Sequence, residues 1–503
     1  MAWSLIHAGW MHYILAIINS HDYTMRYVTT FACEVFSLLN SIIYFHKAIQ
    51  ELQRAHSSLS FAAFLYAVIG AVGTMLFAIF LSTAESWRPL FHRYVRLGLR
   101  EYAAAISIIL FTGLPYIGEL NQLDKMTLPV SSSFKPTSPD RTKFFVRFWE
   151  LPIAWIFAAI IPGLIITMLF FFDHEVSSII CTIDRYGTKK PGGFAIDIII
   201  LGTTTALCGI LGIPPSNGLL PQAPLHSESL MHNQEEQFTV VADGMERTET
   251  REVRRVYEQR WSTFLHAGAI LAFSSPPLMK VLGLTPTSVL AGLFLYMGEQ
   301  SLSVNPILYR AFYILTPPSE LPPLPSTLCT GNHDRRSDAE AANAHKQKPS
   351  YLPIHAYTAL QIIITAAIFI LTLTKGAPAF PVLIIALVPF RLLVMKRWWS
   401  REVLRFVDAW ACREGTPEDD EDERARTHAS DDDSAFLAYP KRESDEDKHG
   451  LRAQVSPSGV NANDNEMWLA GGHDWVELEV IEKGKTDEEL GRTTGGSRDI
   501  VDM

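Results

Sequence analysis

Charge and cysteine are both scarce in this sequence. Of 503 residues, 19% are Asp, Glu, Lys or Arg against 48% hydrophobic, so most of the chain has too little charge to be solvated on all sides. Cys33, Cys181, Cys208, Cys329 and Cys412 show no paired metal-ligand spacing, and Cys33 and Cys208 lie inside apolar runs. They read as small buried hydrophobes rather than a disulfide framework or a metal centre. No Asn-x-Ser/Thr sequon occurs, so the chain offers no N-glycosylation acceptor. Neither a nucleophile–base set nor metal-ligand spacing is recognisable, which leaves an enzymatic reading without support and implies no cofactor. The stretch MAWSLIHAGWMHYILAIIN lacks the basic start and small-residue cleavage site of a signal peptide. It reads as a membrane span that begins abruptly.

Long apolar runs are what the sequence has in quantity. Roughly ten membrane segments are predicted, since about 20 helical residues cross ~30 Å of hydrocarbon. They are Trp3–Asn19, Tyr27–Gln50, Phe61–Ser82, Tyr102–Leu114, Leu151–Cys181, Phe194–Ile213, Trp261–Leu282, Pro286–Ser301 with an interfacial continuation to Leu315, Ala356–Thr374 and Ala379–Met395. None alternates in the way a barrel strand must, and in lipid the backbone has to satisfy itself, so the expected fold class is an all-α polytopic membrane protein. Arg88, Arg93, Arg96 and Arg100, then Arg185, Lys189 and Lys190, then Arg247, Arg251, Arg254, Arg255 and Arg260, and finally Lys396, Arg397 and Arg401 sit between or after spans. The positive-inside rule places these segments and the C-terminal tail in the cytoplasm. The loop Asn121–Arg147 and the turn Lys375–Pro381 then face outside. Beyond Arg413 come EDDEDE (Glu418–Glu423) and SDDDS (Ser430–Ser434), and the formal charge of −10 concentrates there. With so few large apolar residues this tail is expected to be disordered. Its DWVELEV (Asp474–Val480) is either a chance apolar cluster or a short binding motif. The acidity describes the tail and gives no ground for nucleic-acid binding.

Ionisable residues within spans are costly and become functional candidates unless a blander account suffices. Asp173 and Glu175 flank His174 at the end of LIITMLFFFDHEVSSII. Asp173 is either an interfacial carboxylate or one that faces the bundle interior. Asp197, one turn into its span, either caps or pairs there or acts at a site. Glu34 is too far from Arg26 for a single-helix pair, so either it has a partner on another helix or it acts at a site. The stretch GIPPSNGLLPQAPLHSESL (Gly212–Leu230) interrupts the apolar pattern. Pro214-Pro215 must stop the preceding helix, Ser216-Asn217-Gly218 suits an irregular turn, and Pro221 and Pro224 suit the first turns of a short new helix. Such a half-helix would aim free N–H groups at the protein interior, with Gln222 at its start. A proline-rich re-entrant or surface loop is the alternative.

That stretch closely resembles the signature of the borate efflux transporters, a branch of the bicarbonate (anion exchanger) transporter family. MRYVTTFACEVFSLLNSIIYFHKAIQEL, RLGLREYAAAISIILFTG, LFFFDHEVSSIICTIDRYGTKKPGGFAIDIIILG, VLAGLFLYMGEQSL and ALQIIITAAIFILTLTKGAPAFPVLIIALVPFR carry the same resemblance in order. It implies a fourteen-span fold of two inverted repeats of seven, divided into a core that carries substrate and a gate that supports dimerisation. On this resemblance residues 1–24 are the fourth span, 25–117 gate spans five to seven and 118–150 an extracellular loop. Residues 151–282 are the second-repeat core with its half-helix at 217–231. Residues 283–400 are the last three gate spans with a polar loop at 318–350, and 401–503 the disordered tail. The first three spans are expected to be missing, through a mis-called start or a genuine short form that pairs through its gate spans without transporting. The implied site residues are Asp173, Asn217, Leu220, Gln222, Ala223 and His226, with Glu34 and Asp197 as possible structural or coupling residues. Gln222 stands where chloride–bicarbonate exchangers have an arginine, which favours borate over bicarbonate exchange. The implied protein is a plasma-membrane homodimer that exports borate by elevator-like movement, with Asp173 able to carry a coupled proton.

Overall fold

Every apolar run of the sequence is helical in the computed structural model of the chain, which describes residues 1–424 except 89, 132–135, 137–140, 142, 183–185, 191, 219–221, 243–244, 323, 325–349, 412 and 414. The helices are α1 (Ala2–Ile17), α2 (Ser20–Thr24), α3 (Thr30–Ser58), α4 (Phe61–Ser82), α5 (Arg93–Glu101), α6 (Ala103–Gly113), α7 (Ile153–Ala158), α8 (Ile160–Ile180) and α9 (Phe194–Leu211). After the half-helix α10 (Gln222–Ser229) and two strands come α11 (Trp261–Phe273), α12 (Pro276–Leu282), α13 (Thr287–Ser303), α14 (Pro306–Leu315), α15 (Leu352–Thr372), α16 (Phe380–Pro389) and α17 (Arg401–Val407). A last helix, α18, covers residues 417–424.

Among the described residues, four helical stretches are long and apolar enough to span a membrane: Phe61–Ser86, Ile153–Ile179, α9 and α15. Counting each bent pair as one span adds two more, α5 with α6 (bent 69°) and α11 with α12 (bent 94°). The second bend falls at Ser274-Ser275, ahead of Pro276-Pro277, because proline starts a helix more readily than it continues one. Outward faces are apolar: Ile109, Ile161, Leu271 and Ile363 are each more than 60% exposed, which suits lipid rather than water.

Small residues set how the helices pack. α1 lies against α8 and α9, and α3 lies against α4, α13 and α15. A Cβ on Gly202 would come within 2.8 Å of the Gly9 carbonyl, and one on Gly9 within 2.7 Å of Ala206 Cβ. Backbones that approach this closely depend on small residues, as is usual where helices associate in lipid. The Phe36 and Phe172 rings meet edge-on at 5.7 Å and join α3 to α8 within one apolar cluster that also takes in α15 and α16.

Two features depart from expectation. The helical architecture carries a hairpin, β1 (Met231–Ala242) paired antiparallel with β2 (Met245–Val256), from Met231 opposite Val256 to Ala242 opposite Met245. From the sequence, the arginines of this segment indicate orientation and no strands are assigned to it. Asp243-Gly244 between the strands was the signal for a hairpin. The second departure corrects the boundary of the disordered tail, placed at residue 401. Residues 401–407 and 417–424 are helices, and acids of the second pair with Arg391, Lys396, Arg401 and Arg405. Residues 425–503, including Asp474–Val480, lie outside the described residues, as do 325–349 of the polar loop.

Candidate functional site

The polar interruption after α9 is fixed from both ends. Gly212 takes the left-handed conformation (φ 62°, ψ 38°) that ends α9, and the Ile213 N–H reaches back to the Cys208 carbonyl at 3.0 Å. Arg141, from the loop before α7, donates to the carbonyls of Leu211 (3.0 Å) and Gly212 (2.6 Å). A cation thus satisfies carbonyls that the helix end leaves without partners. The chain then runs through Pro214-Pro215 to Ser216-Asn217-Gly218 without regular structure, and α10 begins at Gln222.

Asn217 is the residue that ties this segment to α8. Its Nδ2 donates to the Phe170 carbonyl at 3.1 Å and to Asp173 Oδ2 at 3.2 Å, while its Oδ1 accepts the Gly218 N–H at 2.8 Å. Asp173 therefore faces this irregular segment and is half-buried. Beside this contact lies a cleft of about 200 Å³, lined by His174, Asp197, Ile200, Leu201, Thr204, Ser216, Asn217 and Gly218. Asp197 comes to it from the first turn of α9, so the two sequence candidates Asp197 and Asn217 line the same cleft.

The remaining candidates are placed differently. Gln222 is the first residue of α10 and is exposed, and Ala223 is half-buried beside it. His226 is exposed and shares a 3.0 Å hydrogen bond with Ser262 Oγ, so it joins α10 to α11 and does not reach the cleft lining. Leu220 lies outside the described residues. Glu34 is remote from the cleft: Gln361 donates to its carboxylate at 2.8 Å, Arg310 pairs with the same oxygen, and Arg310 also bonds Gln361 at 3.1 Å. That buried network joins α3, α14 and α15. Glu175, two residues beyond Asp173, is fully buried and pairs with His21, whose ring stacks on Phe194 at 3.8 Å.

His174, Thr204 and Ser216, which line the cleft, and His21, which holds Glu175, are not among the site candidates of the sequence. Thr204 had a readable signal, since Asp197 and Thr204 are seven residues apart and share a face of α9. The partners of Glu34 and Glu175 lie far away in sequence, and spacing carries no signal for them. Among the described residues, no group of three or more His, Cys, Asp or Glu is placed to hold a metal ion.

Comparison with known proteins then fixes the family. The profile of the HCO3- transporter integral membrane domain matches residues 56–411. The chain belongs to the bicarbonate transporter family. A Schizosaccharomyces pombe protein named as a transporter, C543.05c, is 33% identical over 407 residues, covering 81% of this chain and 73% of that protein. Boron transporter 1 of Saccharomyces cerevisiae is 33% identical over 330 residues, covering 63% of this chain and 53% of its own length. Anion exchange protein 3 of Oryctolagus cuniculus is 23% identical over 83% of this chain and 35% of its own. The transmembrane domain of the cyanobacterial bicarbonate transporter BicA superposes with a TM-score of 0.40 at 13% identity, over 73% of this chain and 75% of that one. This family member is an integral membrane protein, and its cleft between α8, α9 and the half-helix segment is the candidate site.

Proposed function

We propose that the protein carries a small inorganic anion across the membrane, borate in preference to bicarbonate, bound where Asp173 meets Asn217. The contact between those two side chains is the observation that carries this reading. A carboxylate accepts hydrogen bonds and repels a ligand that presents only acceptors. B(OH)4⁻ and B(OH)3 surround boron with hydroxyls that donate to Asp173, which Asn217 holds in place, while their oxygens accept from Ser216 and the N–H groups at the start of α10. Bicarbonate has a single hydroxyl, so most of its surface would oppose the carboxylate. Gln222 adds a neutral amide rather than a cation at the start of the half-helix, whose dipole favours an anion. The yeast relative, a boron transporter, supports the same substrate class. Export by movement of the core against a gate that pairs with a second copy, with Asp173 as a proton carrier, is the mechanism this reading entails.

Anion exchange is the second reading, favoured by the likeness to anion exchange protein 3. Boron content of cells expressing wild type, Asp173→Asn or Asn217→Ala at equal membrane abundance separates the two. Borate export predicts low boron in wild type and high boron in both variants, and equal boron in all three removes the site assignment.

A further inference from the structure

The end of the last span is unusually basic, and the chain covers it with its own acids. Lys396 pairs with Glu421, Arg401 donates to Asp422 Oδ1 at 2.6 Å, and Arg405 pairs with Asp422 and lies 2.9 Å from Asp419. All three acids sit on α18, whose start is held by a reciprocal cap: Thr416 Oγ1 accepts the Asp419 N–H at 3.2 Å and donates to Asp419 Oδ2 at 2.7 Å. Beneath these outer pairs lies an inner one. Arg391 is fully buried, donates to Glu418 at 3.1 Å through both terminal nitrogens, and pairs with Asp408. Exposed Trp398 and Leu393 flank the cluster. Tryptophan next to Lys and Arg at a span end marks headgroup depth, where anionic lipids gather.

We propose that Lys396, Arg401 and Arg405 form a site for a phospholipid headgroup carrying more than one phosphate, which α18 occupies here as a detachable latch. The outer carboxylates and their cations are each a quarter or more exposed, and exposed pairs hold weakly against a competing polyanion. The inner Glu418–Arg391 pair is dry and keeps the start of α18 tethered when its outer face lets go. A multivalent headgroup replaces three carboxylates at once, whereas a lipid with one net charge replaces too few. This inference does not depend on which anion the protein carries.

The test uses the purified full chain in neutral detergent with dioctanoyl phosphatidylinositol 4,5-bisphosphate. Controls are dioctanoyl phosphatidylserine, dioctanoyl phosphatidylcholine and free inositol trisphosphate. Binding is read by native mass spectrometry, and latch release by hydrogen exchange of residues 417–424. The bisphosphate lipid should bind and lower protection of 417–424, and the phosphatidylserine and phosphatidylcholine should do neither. Asp422→Asn should loosen the latch without lipid and tighten lipid binding. Arg401→Gln with Arg405→Gln should weaken binding by roughly 25-fold, about fivefold per arginine. Unchanged protection at saturating lipid overturns the proposal, as does undiminished binding by the double variant. Equal binding of inositol trisphosphate overturns the lipid assignment in favour of a soluble phosphate.

Discussion

Replacing Asn217 by Ala removes three hydrogen bonds at once, to the Phe170 carbonyl, to Asp173 and to the Gly218 N–H. The first two are part-buried, where an unmade bond costs about 1–3 kcal/mol. The variant should therefore fold but lose roughly tenfold or more of its flux, read as boron retained per unit of protein in the membrane. Glu34→Gln probes a residue of the opposite kind. It leaves Arg310 buried with a neutral neighbour in place of its counter-ion, which should destabilise the protein by about 3–5 kcal/mol in a thermal unfolding series. Glu34→Gln combined with Arg310→Met should recover part of that loss. Equal melting of the Glu34→Gln variant and wild type would show that the pair contributes nothing. The two residues also show what the sequence could reveal. Asp173 and Asn217 stood out because a carboxylate ending an apolar run and an Asn-Gly after two prolines are each locally costly. The ligands of Glu34 lie more than 270 positions away, so its need for a partner was legible and the identity of Arg310 and Gln361 was not.

Elements were more legible than their joints. The apolar runs became helices because lipid leaves the backbone no other choice, and the prolines marked where α9 ends and where α10 starts, whereas the 94° break between α11 and α12 falls inside what reads as one span, Trp261–Leu282. The β-hairpin was missed because its arginines suggested orientation before its Asp-Gly suggested a turn. The tail boundary was misplaced because composition alone counts acids and does not see the arginines that hold them. Packing between elements rests on glycine, and that yields a prediction at this scale. Gly202→Val would push a side chain into the Gly9 carbonyl and His12 Cβ, 2.8 and 2.9 Å from the position of a Cβ. Separating α1 from α9 should cost about 1–3 kcal/mol, seen as a lower melting temperature. Gly98→Ala, at a glycine whose Cβ would meet nothing within 4 Å, should leave melting unchanged or raise it slightly. Comparable losses in both variants would mean that the close approach of α1 and α9 is not what glycine provides there.

At the scale of the whole molecule, the C-terminal segment closes the chain on itself. Asp408 accepts from the Phe31 N–H at 2.9 Å and from Thr30 Oγ1 at 2.6 Å, so it caps α3 from nearly 380 residues away while also pairing with Arg391. Ala411 donates to the Val28 carbonyl and Thr30 to the Ala409 carbonyl, which adds main-chain pairing to the cap. Deleting everything after Arg413 would strip Glu418 from buried Arg391, whereas deleting after Arg424 leaves every one of these contacts in place. The shorter chain should melt lower and carry less anion, and the longer one should match the full protein; equal behaviour of the two truncations would make the inner pair dispensable. Acidification supplies an independent check on the outer contacts. Desolvation at the contact would raise the Asp422 carboxyl, but the hydrogen bond from Arg405 and the charge of Arg401 outweigh it and hold the group below the usual carboxylate range. A carboxyl lowered in the folded state stabilises it fully above its ordinary value of about 4, and that stabilisation is lost as the pH falls further through the lowered value. Hydrogen-exchange protection of residues 417–424, corrected for the intrinsic exchange rate, should hold steady from neutral pH down to about 4 and drop only beneath it. In the Asp422→Asn variant protection should start lower and lose part of that acid-dependent step. A drop already complete near neutral pH would mean that the arginines do not hold this carboxylate.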